Sequence, residues 1–160
     1  MHRILLALVL LLPLAPQPTE AFVFRKIVYC SPIEGLIHWQ GKPLANLKVT
    51  RLLRSGGFEN DEYQDHVQTD SQGRFQFQTV AERRFLRPDL LSANPHISQV
   101  LEVYFDGQPH TFWAFQKQNF DLGTEAKGGI LKIECDLSKF EQNSYGRIVR
   151  CEHNGVQKYE

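Results

Sequence analysis

Two short turns, each followed by residues typical of β-strands, constrain the fold of this chain more than any other feature. The first turn lies at Gly41, inside the run 34–51. The second spans residues 70–73 and leads into a segment in which Phe75 and Phe77 alternate with polar residues. Glycine accepts the positive φ that tight turns require, and a period of two places every second side chain on one face. The two runs therefore predict antiparallel strands, each with one buried face.

The same reasoning divides the rest of the chain into hairpins and one segment rich in helix breakers. Pro88 and Pro95 exclude a long helix from residues 81–96, for which we expect a short helical turn or an ordered loop. The predicted strand pairs are residues 36–40 with 47–53, 66–69 with 74–79, 100–106 with 110–116, and 130–137 with 147–151. Residues 22–29 are a further candidate strand.

Regularly spaced hairpins are typical of a sandwich or an open barrel. The sequence therefore predicts an all-β fold: a seven- to eight-stranded antiparallel β-sandwich with one short helical or irregular segment. Residues 22–160 are long enough to form it as a single domain with a core of its own. The residues expected between the two sheets are Ile37, Trp39, Leu47, Val49, Phe75, Phe77, Leu101, Val103 and Ile133.

Residues 1–21 have the pattern of a secretory signal peptide. Arg3 provides a basic start, residues 4–14 are almost uniformly apolar, and Ala21 is a small residue at the expected cleavage position. The apolar run is shorter than the roughly 20 residues that a spanning helix needs, so we expect a cleaved signal rather than an anchor. The mature chain is then periplasmic or secreted, begins near Phe22 and has no stable membrane insertion.

The charges of the chain are balanced, with 18 Lys and Arg against 18 Asp and Glu. Removal of the signal takes away one charge of each sign, so the balance is unchanged. It gives no long-range attraction toward nucleic acid or anionic lipid, and no nucleic-acid partner is expected. The one local cluster, Arg83, Arg84 and Arg87, is either a basic patch or a solvated face, and we favour the solvated face.

Three cysteines remain after signal removal, which permits at most one intrachain disulfide. If residues 130–137 and 147–151 form a hairpin, the sulfurs of Cys135 and Cys151 both point inward, and we favour a bridge between them. Pairing of Cys30 with either of the two is the alternative. The spacings match no zinc pattern, so no metal site is expected.

Two polar groups in the sequence are candidates for chemistry. His66 with Asp65 and Asp70 has the composition of a base and its orienting carboxylates, but no nucleophile accompanies it, and polar hairpin residues are the better interpretation. Asp61, Glu62 and Asp65 lack the glycine and terminal glutamate of an EF-hand loop. We therefore predict no catalytic, cofactor-binding or metal-binding residues, and a protein that is not an enzyme.

The third hairpin contains more aromatic residues than one buried face can hold. Tyr104, Trp113 and Phe115 fall on the opposite parity from Phe105 and Phe112. One set can face the core, and the other set then forms a candidate binding face for protein or sugar. The alternative is that this second set lies beneath residues 81–96.

The two opening runs also resemble a known domain. Residues 35–51 and 69–75, with their "G.PL....V" turn and "T(D)..G.F" motif, look like carboxypeptidase regulatory-like (transthyretin-like) β-sandwich domains. The match covers residues 34–79 and implies a prealbumin-type fold. The whole chain resembles a family of small exported bacterial proteins of unknown function. Neither resemblance brings catalytic residues, and the Tyr-Arg-Gly-Ser signature of transthyretin-like hydrolases is absent.

These observations favour a non-enzymatic, exported β-sandwich module that binds a protein or glycan of the bacterial envelope. The first alternative is a periplasmic immunity or inhibitor protein that blocks a toxin or hydrolase with a loop such as residues 56–65. The second alternative is a small hydrolase with an unrecognised site.

Overall fold

A computed structural model describes residues 24–56, 58–85, 96–144 and 146–156. The described chain is almost entirely β-structure, with one short 3-10 turn at Glu59–Asp61. The strands are β1 (Phe24–Cys30), β2 (Ile33–Trp39), β3 (Lys42–Pro43), β4 (Lys48–Arg54), β5 (Glu62–Gln68), β6 (Arg74–Phe77), β7 (Val80–Phe85), β8 (Ile97–Phe105), β9 (Gln108–Lys117), β10 (Leu131–Asp136), β11 (Phe140–Asn143), β12 (Gly146–Val149) and β13 (Glu152–His153).

The strands form two main sheets and a separate two-stranded ribbon. The five-stranded sheet has the order β13-β10-β2-β3, and β6 also pairs with β2. The six-stranded sheet has the order β11-β12-β9-β8-β4-β5, and β1 pairs with β7 in the ribbon. Most pairings are antiparallel, while β2 with β10 and β9 with β12 are parallel.

The hydrophobic core lies between the two main sheets, and the predicted all-β sandwich is confirmed. Of the nine expected core residues, seven are buried, and Trp39 and Leu47 are partly buried against the same cluster. The ring of Phe75 lies directly over Gly35, where an added Cβ would come within 2.1 Å of ring atoms. None of the described residues belongs to a helix that is long and apolar enough to cross a membrane.

The third predicted hairpin is confirmed. Strands β8 and β9 pair along their length around a two-residue turn at Asp106 and Gly107, with φ of 52° and 71°. Two successive residues with positive φ match the right-handed twist of the flanking strands.

The first two predicted hairpins are wrong, because the chain crosses between sheets at these positions. After the turn at Gly41, only the two residues of β3 pair back onto β2, and β4 lies in the other sheet. Likewise β5 and β6 belong to different sheets. Buried Thr69 joins the two crossings: its hydroxyl donates to the Leu44 carbonyl at 2.6 Å and accepts from the Leu47 amide at 2.9 Å. A sandwich needs such crossings so that each sheet covers the other.

The predicted disulfide between Cys135 and Cys151 is present, but the predicted hairpin that suggested it is wrong. Strand β12 pairs with β9 and β11 in the six-stranded sheet, and only β13 returns to β10. Cys151 lies in the connection between β12 and β13, so the bridge fixes this connection to the five-stranded sheet. The buried Cys30 is a free thiol.

Two predictions concern residues beyond the described ranges. The signal peptide, residues 1–21, lies outside them. Within the segment 81–96, residues 81–85 belong to β7 and not to a helical turn or loop, because they pair with β1. Residues 86–95 lie outside the described part.

The position of the disulfide leads to a prediction about stability. Peptide mapping of unreduced protein from an oxidising compartment should recover Cys135 linked to Cys151. The bridge closes a loop with a sequence separation of 16 residues, for which chain entropy predicts a loss of about 3 kcal/mol in unfolding free energy on its removal. Denaturant unfolding of Cys135→Ala/Cys151→Ala measures this loss, with Cys30→Ala as the single-thiol control. Recovery of Cys30 in the linked peptide would contradict the pairing.

Candidate functional site

The structure corrects the aromatic face that the third hairpin predicted. Trp113 is not on an outer face with Tyr104 and Phe115 but in the core, with 1% of its surface exposed. The register of β8 with β9 shifts just after Leu101 and leaves Phe112 as an extra residue in β9. A bulge of this kind breaks the period of two, so the neighbours Phe112 and Trp113 are both buried.

The C-terminal segment covers Trp113. The ring of His153 lies edge-on to Trp113 with centroids 5.1 Å apart. A Cβ added at Gly155 would lie 2.5 Å from the indole, so this position requires glycine. Phe115 is half-buried and stacks on Trp113 with centroids 5.8 Å apart, while Tyr104 is 69% exposed. The three residues therefore do not form one binding face.

The candidate base and its orienting carboxylates do not come together either. His66 is exposed on β5, and its neighbour Asp65 belongs to the opposite strand face. Asp65 accepts two hydrogen bonds from the buried guanidinium of Arg51, at 2.9 and 2.6 Å. Asp70 accepts from the Arg74 amide at 2.9 Å within its turn. The two carboxylates thus bind a buried arginine and a turn amide instead of orienting His66.

Two of the acidic residues near the 3-10 turn, Glu62 and Asp65, bind different arginines. Glu62 forms an exposed ion pair with Arg54 at 3.1 Å, and Asp65 binds Arg51. In the ranges that the structure describes, no group of three His, Cys, Asp or Glu side chains is placed to hold a metal ion.

A buried polar cluster lies around Glu125, in the loop after β9. Its Oε1 accepts hydrogen bonds from Lys117 Nζ and Gln99 Nε2, each at 2.9 Å, and from the Ser31 amide at 3.0 Å. The Ser31 hydroxyl donates to Oε2. Lys117 and Glu125 are each 1% exposed. The cluster therefore ties this loop to β8, β9 and the β1–β2 connection.

The pKa shifts of Glu125 and the nearby Cys30 indicate a structural role for this cluster. Burial opposes ionisation of Glu125, but hydrogen bonds from Ser31 and Gln99 and the charge of Lys117 outweigh it and lower the pKa of the carboxyl. Burial raises the pKa of the nearby Cys30 thiol to about 11, against the opposing charge of Arg51. This thiol is therefore protonated and poorly nucleophilic at neutral pH.

An open groove of about 940 Å³ crosses the five-stranded sheet. Its floor is formed by side chains of β2, β6 and β10 that alternate with core residues and so face away from the core. Residues 67–70 border it on one side and residues 152–154 on the other. The lining residues are Glu34, Gly35, Leu36, Val67, Gln68, Asp70, Arg74, Phe75, Gln76, Lys132, Ile133, Glu134, Glu152, His153 and Asn154.

The strand register arranges the groove side chains in rows. One row runs across four strands, with Glu152 opposite Glu134, Glu134 beside the half-buried Leu36, and Leu36 opposite Arg74. A second row places Lys132, Glu34 and Gln76 side by side. The longer row is thus acidic at the β13 side, apolar in the middle and basic at the β6 side.

The wall of the groove next to β13 is held by Asn154. Its side-chain amide donates to the carbonyls of Lys127 and Ile130 at 2.9 Å each, and its Oδ1 accepts from the Lys132 amide at 2.8 Å. Sequence reasoning did not identify the groove. The alternation that assigned Ile133 to the core also places Lys132 and Glu134 outside, but only the sheet order shows which strands lie beside them.

Comparison with known proteins places the chain in a family. A family model described as a domain of unknown function (DUF6795) matches residues 33–140, which is most of the chain. The chain belongs to this family. The DUF6795 region contains β2, β6 and β10 of the groove floor, whereas β1, β13 and Cys151 lie outside it. No curated protein and no solved structure gives a significant match.

The burial of Trp113 and the exposure of Tyr104 predict opposite effects of truncation. Trp113→Ala should lower the free energy of unfolding by about 3–5 kcal/mol, because it removes a large buried aromatic side chain. Tyr104→Ala should change it by less than about 0.5 kcal/mol, as is usual at exposed positions. Denaturant unfolding of both variants tests this, and equal effects would contradict the bulged register.

The buried ion pair predicts a non-additive mutant cycle. Lys117→Met should cost about 3–5 kcal/mol, because it leaves the Glu125 carboxylate buried without its cation. Adding Glu125→Gln should recover much of this loss, since the amide carries no charge. Unfolding free energies of the two single variants and the double variant measure the coupling. Additive losses would show that the pair does not act as a unit.

The same cycle has a pH signature. The pKa of Glu125 in the folded state lies below its ordinary value of 4.5. Its contribution to stability is therefore complete above that value and is lost as the pH falls through the lower folded pKa. The Lys117→Met/Glu125→Gln variant should lose less stability than the wild type over this acidic range.

Proposed function

We propose that this protein is a non-enzymatic, exported β-sandwich module that binds a protein or glycan of the bacterial envelope through the groove on its five-stranded sheet. The disulfide is compatible with an oxidising compartment. The resemblance of residues 34–79 to carboxypeptidase regulatory-like domains supports a binding rather than a catalytic role.

The main support is the row of Glu152, Glu134, Leu36 and Arg74 across the groove floor. The backbones of these residues are held by strand pairing, so their charges keep a fixed pattern. A fixed pattern of opposite charges around an apolar centre determines how a partner aligns in the groove and which partners fit. An extended partner segment with a basic group toward β13 and an acidic group toward β6 complements it.

Site-specific cross-linking tests this proposal. A photoreactive phenylalanine analogue at Gln76 or Lys132, in the groove, should give adducts of one defined mass in cells that export the protein. The same analogue at the exposed Gln116 of the six-stranded sheet is the control. Protease or glycosidase sensitivity of the adduct identifies the class of partner.

A charge exchange provides a second arm of the experiment. Glu134→Arg/Arg74→Glu exchanges the two charges that flank Leu36 without changing net charge, and like charges across an interface cost several kcal/mol. We therefore expect adduct yield at Gln76 to fall by about tenfold or more, with an unchanged melting temperature. Adducts that form equally at Gln116, or that persist after the exchange, would overturn the proposal.

A further inference from the structure

The two-stranded ribbon places like charges directly opposite one another. In the pairing of β1 with β7, Lys26 faces Arg83 and Arg25 faces Arg84. The side chains of Lys26, Arg83 and Arg84 are exposed. Like charges directly opposite each other on adjacent strands are destabilising. In the described part of the chain, neither Lys26 nor Arg83 forms an ion pair. The stability of the fold therefore gives no reason for placing Lys26 opposite Arg83.

The ribbon has a definite order along its length. At its inner end Ile27, Val28 and Tyr29 are buried in or against the core. The Tyr29 hydroxyl donates to Glu82, which also binds Arg84, so the one acidic side chain of the ribbon is already engaged. The basic pairs follow, and the outer end has Phe24 opposite Phe85, with 68% of Phe24 exposed.

This order matches the layers of a bilayer surface. Exposed phenylalanine rings bury at the boundary between headgroups and acyl chains, while lysine and arginine extend to the phosphates. We propose that the basic ribbon, formed by Phe24, Lys26 and Arg83 on one face of the strand pair, docks on an anionic phospholipid surface. Docking would relieve the repulsion between the opposed bases, because lipid phosphates would lie between them. This surface is separate from the groove, and the inference goes beyond the proposed function.

The exposed aromatic end favours lipid over a soluble polyanion. A soluble polyanion such as heparin is bound through charge and offers no apolar surface to the exposed Phe24, whereas lipid acyl chains do. The net charge of the protein is zero, so long-range attraction is weak and contact must come from this local surface. Each lysine or arginine near an anionic membrane strengthens binding by about fivefold.

Vesicle co-sedimentation of the exported protein tests the proposal. The wild type should sediment with vesicles of phosphatidylcholine mixed with phosphatidylglycerol, should not sediment with phosphatidylcholine alone, and should be released by salt. Lys26→Glu/Arg83→Glu should weaken binding by 25-fold or more, as expected for about fivefold per lost cation. Phe24→Ser should also weaken it, measured at a temperature at which circular dichroism shows that the variant is folded.

Two controls separate this role from folding and from net charge. Lys48→Glu/Lys139→Glu makes the same change in charge at exposed positions outside the ribbon and should bind like the wild type. Lys26→Glu alone places opposite charges in register, so it should melt at or above the wild-type temperature while binding lipid more weakly. Equal binding by all variants would overturn the proposal. So would heparin binding that needs Lys26 and Arg83 in a protein that does not sediment with anionic vesicles.

Discussion

The fold depends on one packing constraint: each main sheet has a single apolar face, and neither can bury that face without the other. The segments that cross between the sheets therefore determine how the two sheets are held against each other. The structure fixes these crossings with specific bonds. Thr69 joins two of them through its hydroxyl, and Glu125 gathers donors from β8, β9 and the β1–β2 connection. Polar groups thus define how two apolar surfaces meet.

Local chemistry was enough to predict some elements and misleading for others. The turn at Asp106 and Gly107 returns the chain to the neighbouring strand, so that hairpin followed from the sequence. The turn near Gly41 comes just before a crossing and the turn before Phe75 lies within one, although both contain similar residues. A single sequence does not distinguish such turns from those of hairpins. The disulfide was predicted correctly despite a wrong hairpin, because both cysteines face inward in either topology.

The candidate site was less accessible to sequence reasoning. One extra residue, Phe112, reversed the expected orientation of Trp113. The pattern of apolar and polar residues in this part of the sequence does not indicate a bulge. The same shift brings Lys117 to the interior, where its partner Glu125 comes from an irregular loop. The groove and the basic ribbon both depend on which strands are neighbours. Strand order is a property of the tertiary structure. The sequence alone therefore does not show that Lys26 lies opposite Arg83.

The disulfide determines how firmly the segment after Cys151 is held in place. Cys151 directly precedes the segment that covers Trp113 and forms one wall of the groove. Where thiols are kept reduced, this segment is held by the two-residue pairing of β13 and by the bonds of Asn154. The bond between Cys135 and Cys151 adds a covalent link that holds this segment on the five-stranded sheet. With both thiols reduced, one wall of the groove would thus be held only by noncovalent contacts, and the groove would be less well ordered for binding.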